Sequence, residues 1–385
     1  MKELALIPYG RQSIDEEDIA SVVATLRSAF LTQGPAVAQF EAALCAYTGA
    51  TYCVAVCNAT AGLHMAVAAL ELPADSEGIT SPNTFLASAN CMAYCQVKPV
   101  FADIEPLQFN IDPAAIQPRM TSATRLLLPV HFAGHSADMV AIAAIAQQHQ
   151  LRVIEDAAHA IGSRYADGGR VGNCRYSDLT VFSFHPVKTI TTGEGGAIMT
   201  NEPELYRRLL RLRSHGMTKD HQELTQNPGP WYYEMQSLGY NYRLTDLQAA
   251  LGLTQLAKLD QFAARRKAII SHYNQSLSGL SWLQTPRQVD GVDSCFHLYV
   301  TQIDFSKIGK TRSQAMQKLL DQGVGTQVHY IPVHTQPWYI STFGYQVGDY
   351  PVAEAYYERT LSLPLFPAMS DAEIAHVVSA VKSLA

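Results

Sequence analysis

The run Val181-Phe182-Ser183-Phe184-His185-Pro186-Val187-Lys188 continues through Thr189-Ile190-Thr191-Thr192-Gly193-Glu194-Gly195-Gly196 into a second apolar run, Ala197-Ile198-Met199-Thr200. Leu179 to Phe184 has the length and the aromatic, β-branched content of a buried strand. The glycines admit the backbone conformations of a tight turn beside a ligand, and Gly193 to Gly196 are expected to turn the chain so that Lys188 faces inward. One lysine is thereby presented at a strand end, where open α/β sheets build their sites. Taken alone it reads as a solvated surface residue, so its meaning depends on what else converges there.

Around this stretch the chain alternates short apolar runs with helical segments up to about residue 250. Tyr52–Val56 reads as a buried strand, Asn58-Ala59-Thr60 as a turn and Gly62–Leu70 as a helix. Val97–Phe101, Leu126–Val130 and Leu151–Glu155 read as further strands, and Met139–His149 as a helix. Upstream, Asp15-Glu16-Glu17-Asp18 opens an amphipathic helix whose first turn suits acidic side chains, and Val37–Tyr47 forms a second that ends before Gly49. Such alternation predicts an α/β fold with a mainly parallel sheet covered on both faces. Leu244–Leu277 is the longest helical stretch, with Leu247, Leu251, Leu256, Leu259 and Phe262 recurring at three to five residue spacings and Arg265-Arg266-Lys267 interrupting that pattern. It leads to Phe296–Ile303, Thr311–Gln322, Thr326–Tyr330 and Asp371–Leu384, which suggest a smaller α+β domain. The expected division is a large domain with an N-terminal arm over 1–250 and a small one over 251–385.

With 385 residues, 48% hydrophobic and 16% charged, the chain can bury a large core in two domains. Its formal net charge of -6 offers no bulk attraction to nucleic acid or anionic lipid. No apolar run approaches the ~20 residues needed to span a bilayer, and the N-terminus shows no signal-peptide pattern. Seven cysteines, none in a CxxC pair and none completed by a histidine doublet, argue against a metal site and for free thiols in a reducing cytoplasm.

Three features converge on Lys188. Asp156, in Ile154-Glu155-Asp156-Ala157-Ala158-His159, stands at a strand end, where a carboxylate is costly to bury without a cationic partner. Asn58-Ala59-Thr60-Ala61-Gly62 places free N–H groups and a threonine hydroxyl at a helix N-terminus, an anion site. Ser183, on the same strand face as Val181, can add a hydroxyl to it. Each has a plainer reading: a capping aspartate, an ordinary βα turn, a strand serine bonded to backbone. Together, a lysine, an aspartate and a phosphate cradle are what pyridoxal phosphate requires. A ring stacked on that cofactor is expected too; Phe85 in Asn83-Thr84-Phe85 is the candidate, with a core phenylalanine as the equal alternative.

At these residues the sequence closely resembles the DegT-type sugar-nucleotide aminotransferases among the fold type I pyridoxal-phosphate enzymes. The resemblance runs from Leu31-Thr32-Gln33-Gly34-Pro35 through the Asp156 and Lys188 blocks, Arg213-Ser214-His215-Gly216 and Gly239-Tyr240-Asn241-Tyr242-Arg243-Leu244 to Val328-His329-Tyr330-Ile331-Pro332. It implies a seven-stranded-type sheet between helices in the large domain. The lysine block and Gly193-Glu194-Gly195-Gly196 look most like the branch that aminates carbon 4 of a UDP-linked 4-keto-6-deoxy-N-acetylhexosamine on the pseudaminic acid route, with L-glutamate as donor. By resemblance, Lys188 would hold the cofactor covalently, Asp156 would pair with the ring nitrogen and His159 would lie near the ring hydroxyl. Thr60, Ala61 and Ser183 would hold the phosphate, and Asn241 would reach the phosphate in a neighbouring subunit, making a homodimer with shared sites the active unit. His215, His329 and Tyr330 would approach substrate, each with a packed or surface role as the equal alternative. A sugar dehydratase of the same fold, in which histidine replaces the lysine, is disfavoured by Lys188 itself.

Overall fold

The computed structural model describes residues 6–287 and 291–385. The chain builds a seven-stranded sheet from β1 (Tyr52–Val56), β2 (Glu77–Thr80), β3 (Lys98–Phe101), β4 (Thr124–Leu128), β5 (Arg152–Asp156), β6 (Leu179–Ser183) and β7 (Gly196–Thr200). The order is β1-β7-β6-β5-β4-β2-β3. Four neighbouring pairs, from β6 to β3, run parallel, and β7 is antiparallel to both of its neighbours. One reversed strand in a parallel sheet brings the ends of β1, β5 and β6 to the same edge as the start of β7.

The pleat explains why the opening stretch is apolar throughout. Every residue of β6 is buried. Phe182 and Phe184 enter a core with Phe40 and Leu44, whereas Val181 and Leu179 enter the core on the other face with Leu63 and Leu205. Period-two alternation thus feeds two cores, and each such side chain contributes roughly 1.5–3 kcal/mol by leaving water.

The helices start and stop for local reasons. In α1 (Glu16–Leu26) Asp15 is the N-cap, accepting from the N–H groups of Glu17 and Asp18. In α2 (Pro35–Thr48) proline opens the helix and Gly49, at φ 89°, closes it in the left-handed region. Helix α3 spans Ala59–Ala69, three residues earlier than expected, because Asn58 is its N-cap and its Oδ1 accepts the Ala61 N–H. The next helix, α4 (Ala87–Tyr94), follows β2. The expected continuous helix over Leu244–Leu277 is two helices, Asp246–Ala257 and Leu259–Leu277, broken at Lys258. There the Lys258 ammonium reaches back to Asp15 (2.8 Å) and Asp18 (2.7 Å) of the first helix. Arg266 does not interrupt the second helix: it is wholly buried, and Nη1 donates to the carbonyls of His297 (3.1 Å) and Leu365 (2.9 Å).

A two-stranded ribbon, β8 (Met217–Thr218) with β9 (Glu234–Met235), precedes these helices. Beyond them, β10 (Leu283–Gln284), β11 (Tyr299–Ile303) and β12 (Thr360–Leu363) form an antiparallel sheet. A separate core packs the helices Leu259–Leu277 and Asp371–Lys382, through Ile269, Tyr273, Val377 and Val381, with Tyr299 and Leu361 of this sheet. The expected segment Thr326–Tyr330 touches β12 by one bridge, Gln327 to Ser362, and is otherwise irregular. Among the described residues no helix is long and apolar enough to cross a membrane.

Candidate active site

A cavity of about 580 Å³ opens at the edge where β5 and β6 end, and its lining includes Thr60, Phe85, Asp156, His159, Ser183 and Lys188. His329 and Tyr330, from the segment between the helix Arg312–Asp321 and β12, close the other side. Eight of the eleven residues singled out from the sequence therefore share one wall-to-wall space.

Asp156 is the last residue of β5 and 5% exposed. Its Oδ1 accepts the Ala158 N–H (3.0 Å) and its Oδ2 accepts the Ser88 hydroxyl (2.6 Å). Among the described residues no cation forms a salt bridge with it. The neighbouring Glu155 points the other way along the pleat, as alternation demands. It is held by His131 (2.7 Å), Tyr165 (2.8 Å), Thr180 (3.0 Å) and Ser177. Burial raises the Glu155 carboxyl, but the bonds and charge from His131, with Ser177 and Tyr165, outweigh it and hold it below the usual range. Of two adjacent acids, one is consumed by the fold and one faces the cavity.

Lys188 closes a turn after β6, its N–H donating to the His185 carbonyl (2.9 Å). Its Nζ makes no hydrogen bond or ion pair with the described residues. Burial pulls its ammonium down to about 8, with the Asp156 charge opposing. An amine in that condition is available for nucleophilic and proton-transfer work near neutral pH.

The anion end is the start of α3. Ala59 and Thr60, on the cavity wall, have first-turn N–H groups without helical partners. The Ala61 N–H, expected among the phosphate donors, is held by Asn58 Oδ1 at 2.8 Å, so Ala59 takes its place as the free donor beside Thr60. Gly196 is what lets β7 pass this close. In register it lies between Val56 and Ser183, and a Cβ on it would sit 2.8 Å from the Ala59 nitrogen and 2.9 Å from the Asn58 carbonyl carbon. Gly193, at φ 80°, makes the preceding turn. Ser183 is buried, its hydroxyl only weakly engaged by the His185 N–H at 3.4 Å.

Phe85 is 58% exposed on the cavity rim, 6.1 Å from Tyr330 between ring centres. Its solvent-facing ring removes the core-phenylalanine alternative. His159 is buried; Nδ1 accepts the Ala133 N–H (3.3 Å) and Nε2 pairs with the Tyr330 hydroxyl (3.1 Å). Burial, with Lys188 and His329 nearby, keeps this imidazole well below its ordinary value, so it is neutral with its proton on Nε2. Burial, with Lys188 second, also lowers His329 to about 3, and its Nδ1 lies 2.8 Å from Ser362 Oγ.

Two residues stand apart. His215 and Asn241 are exposed, joined by the bridge of Ser214 with Asn241 and the His215 N–H to Tyr240 carbonyl bond (2.8 Å), at the base of the ribbon and outside the cavity lining. The sequence reading also missed residues that the fold brings in. Ser88 holds Asp156, and His297, from just before β11, packs 4.4 Å from His159 with a fully enclosed, unpartnered Nδ1. Nothing local marks either one.

The site fits pyridoxal phosphate. A buried carboxylate without a cation, an unencumbered amine and a helix N-terminus with free donors match the ring nitrogen, aldehyde and phosphate of that cofactor.

Comparison with known proteins agrees over nearly the whole chain. The sequence model of the DegT/DnrJ/EryC1/StrS aminotransferase family matches residues 12–382. The spore coat polysaccharide biosynthesis protein SpsC of Bacillus subtilis is 43% identical over 381 residues, 98% of this chain and 97% of SpsC. The structure of Helicobacter pylori PseC, an aminotransferase involved in the biosynthesis of pseudoaminic acid, superimposes with a TM-score of 0.92 at 30% identity, covering 98% of this chain and 99% of PseC. A putative sugar aminotransferase from Streptococcus pneumoniae, Spr1654 in its PMP form, gives 0.91 at 30% identity and 98% coverage of both chains.

Proposed function

The chain belongs to the DegT/DnrJ/EryC1/StrS aminotransferase family, and from that premise we propose that it moves the amino group of L-glutamate to carbon 4 of a UDP-linked 4-keto-6-deoxy-N-acetylhexosamine. It is a pyridoxal-phosphate-dependent aminotransferase of fold type I. The observation that carries the reading is that Lys188 and Asp156 line one cavity, each without an ionic partner among the described residues.

When bound, pyridoxal phosphate supplies an aldehyde that exchanges for the amino group and a ring that takes up the electrons of the broken C–H bond. Lys188 would hold the cofactor covalently, and its amine, once freed, would carry the proton between the donor carbon and the cofactor carbon, as base and then as acid. Asp156 would pair with the ring nitrogen and keep it protonated. Thr60, the Ala59 N–H and Ser183 would hold the phosphate, Phe85 would lie against the ring and His159 would orient its hydroxyl. Glutamate leaves as 2-oxoglutarate, and the same residues run in reverse on the keto sugar. His329 and Tyr330 face that sugar.

We extend the proposal to a homodimer. Trp231, Tyr233, Met235 and Leu238 are 52–77% exposed along the ribbon that carries His215 and Asn241, an apolar face suited to a second copy. On this reading Asn241 reaches the phosphate and His215 the substrate of the partner's site. The 1–250 and 251–385 division belongs to the same proposal, supported by the separate core around β11. A cytoplasmic setting is supported by seven unpaired cysteines.

The biosynthetic roles of PseC and SpsC support a sugar substrate destined for a glycan or polysaccharide. Amination of a dTDP-linked sugar, or at carbon 3, is the alternative. The test is a panel of UDP- and dTDP-linked 3- and 4-keto sugars with glutamate, the amino position read by NMR. Turnover confined to the UDP 4-keto-N-acetyl sugar is expected; a strong preference for any other member would overturn the specific assignment and leave the reaction class.

A further inference from the structure

We propose that Ser88, backed by Thr84, is the positioning residue that aims the Asp156 carboxylate into the cavity. This rests on the reading of Asp156 as the partner of the ring nitrogen.

Ser88 is wholly buried in the first turn of α4, and its Oγ lies 2.6 Å from Asp156 Oδ2 across 68 residues of chain. A serine hydroxyl has one proton to give. Two acceptors compete for it: Asp156 Oδ2 at 2.6 Å and the Phe85 carbonyl at 3.3 Å. The shorter bond to an ionised acceptor prevails. Thr84 Oγ1, 2.6 Å from Ser88 Oγ, must then donate, because Ser88 has only lone pairs left to offer it. The polarity of the chain is fixed: Thr84 to Ser88 to Asp156.

The consequences are geometric and electrostatic. With Oδ2 held by Ser88 and Oδ1 by the Ala158 N–H at 3.0 Å, the carboxylate plane cannot turn, and its remaining lone pairs are left for the cavity. Bonds donated to a carboxylate favour its ionised form, and two hydroxyls in series away from water strengthen each other. Ser88 does not line the cavity, so it acts through Asp156 and touches no ligand.

The experiment compares Ser88→Ala, Ser88→Thr, Thr84→Val and Asp156→Asn with the unmodified full-length protein. Three quantities are read: the dissociation constant of pyridoxal phosphate, the pH at which the bound cofactor's absorption changes, and kcat against the KM for glutamate. Alanine keeps the helix, so folding is preserved. Ser88→Ala is expected to weaken cofactor binding and lower kcat by roughly tenfold or more, to displace the absorption transition and to leave KM nearly unchanged. Ser88→Thr restores all three, and Thr84→Val gives a smaller change of the same sign. Unmodified cofactor affinity and absorption transition in Ser88→Ala, while Asp156→Asn loses both, would overturn the proposal. Unmodified behaviour in Asp156→Asn as well would instead overturn the Asp156 assignment beneath it.

Discussion

The floor of the cavity and the ribbon from His215 to Asn241 carry residues of one proposed site under opposite conditions. On the floor, Asp156, Ser183 and His159 are buried, placed by strand ends and held by hydrogen bonds within the chain. On the ribbon, Asn241 and His215 are exposed beside Trp231 and Leu238, and no element among the described residues covers them. The floor is complete in one copy; the ribbon has the character of a surface awaiting another. Chemistry that tolerates no misplacement sits on the rigid sheet, while the contacts proposed to serve a second copy sit on a two-stranded extension.

The sharpest way to break that contrast is Lys188→Ala. If the floor alone carries the chemistry, multiple-turnover amino transfer falls by roughly 10³-fold or more and no covalent cofactor remains, measured by steady-state assay and absorbance. Substantial turnover in that variant would move the chemistry elsewhere. On the ribbon, Leu238→Glu should weaken self-association by roughly thirtyfold or more, read by sedimentation, with cofactor occupancy falling in step and the fold unchanged by circular dichroism. An active, cofactor-loaded monomer would show that the floor needs no second copy.

The third prediction concerns pH. Burial leaves Lys188 with its charged form disfavoured, titrating at about 8. Only the neutral amine attacks an aldehyde, so the rate of covalent cofactor capture should climb as pH rises through 8 and level above it. At pH 7 it should be roughly a tenth of the plateau, measured by stopped-flow absorbance of cofactor-free protein. A rate still rising steeply at pH 10 would mean an unperturbed lysine. The smallest effect is expected from Gly196→Ala. Its Cβ meets backbone atoms of Asn58 and Ala59, which must shift, at a cost of roughly 1–3 kcal/mol in thermal stability by calorimetry together with looser phosphate binding.

What the sequence revealed and what it hid follow the same division. The strands were legible because burial on both faces of a parallel sheet demands uninterrupted apolar runs, and Tyr52–Val56 and Met139–His149 fall where periodicity puts them. That Lys188 and Asp156 line one cavity was legible because sheet topology places strand ends together. The start of α3 was misplaced because Asn58-Ala59-Thr60 has turn composition, although its asparagine is the cap itself. Arg266 read as a break in the apolar spacing because its carbonyl partners, His297 and Leu365, lie far along the chain. Ser88 was invisible for the same reason: its meaning is a single bond to Asp156, 68 residues away.

The most direct measurement is to load the protein with pyridoxal phosphate, reduce it with borohydride and locate the modified lysine by mass spectrometry, with and without prior L-glutamate. The account predicts a single label on Lys188 that disappears when glutamate is added first, because the donor has displaced the amine. A label on another lysine, or one on Lys188 that glutamate leaves in place, would contradict it.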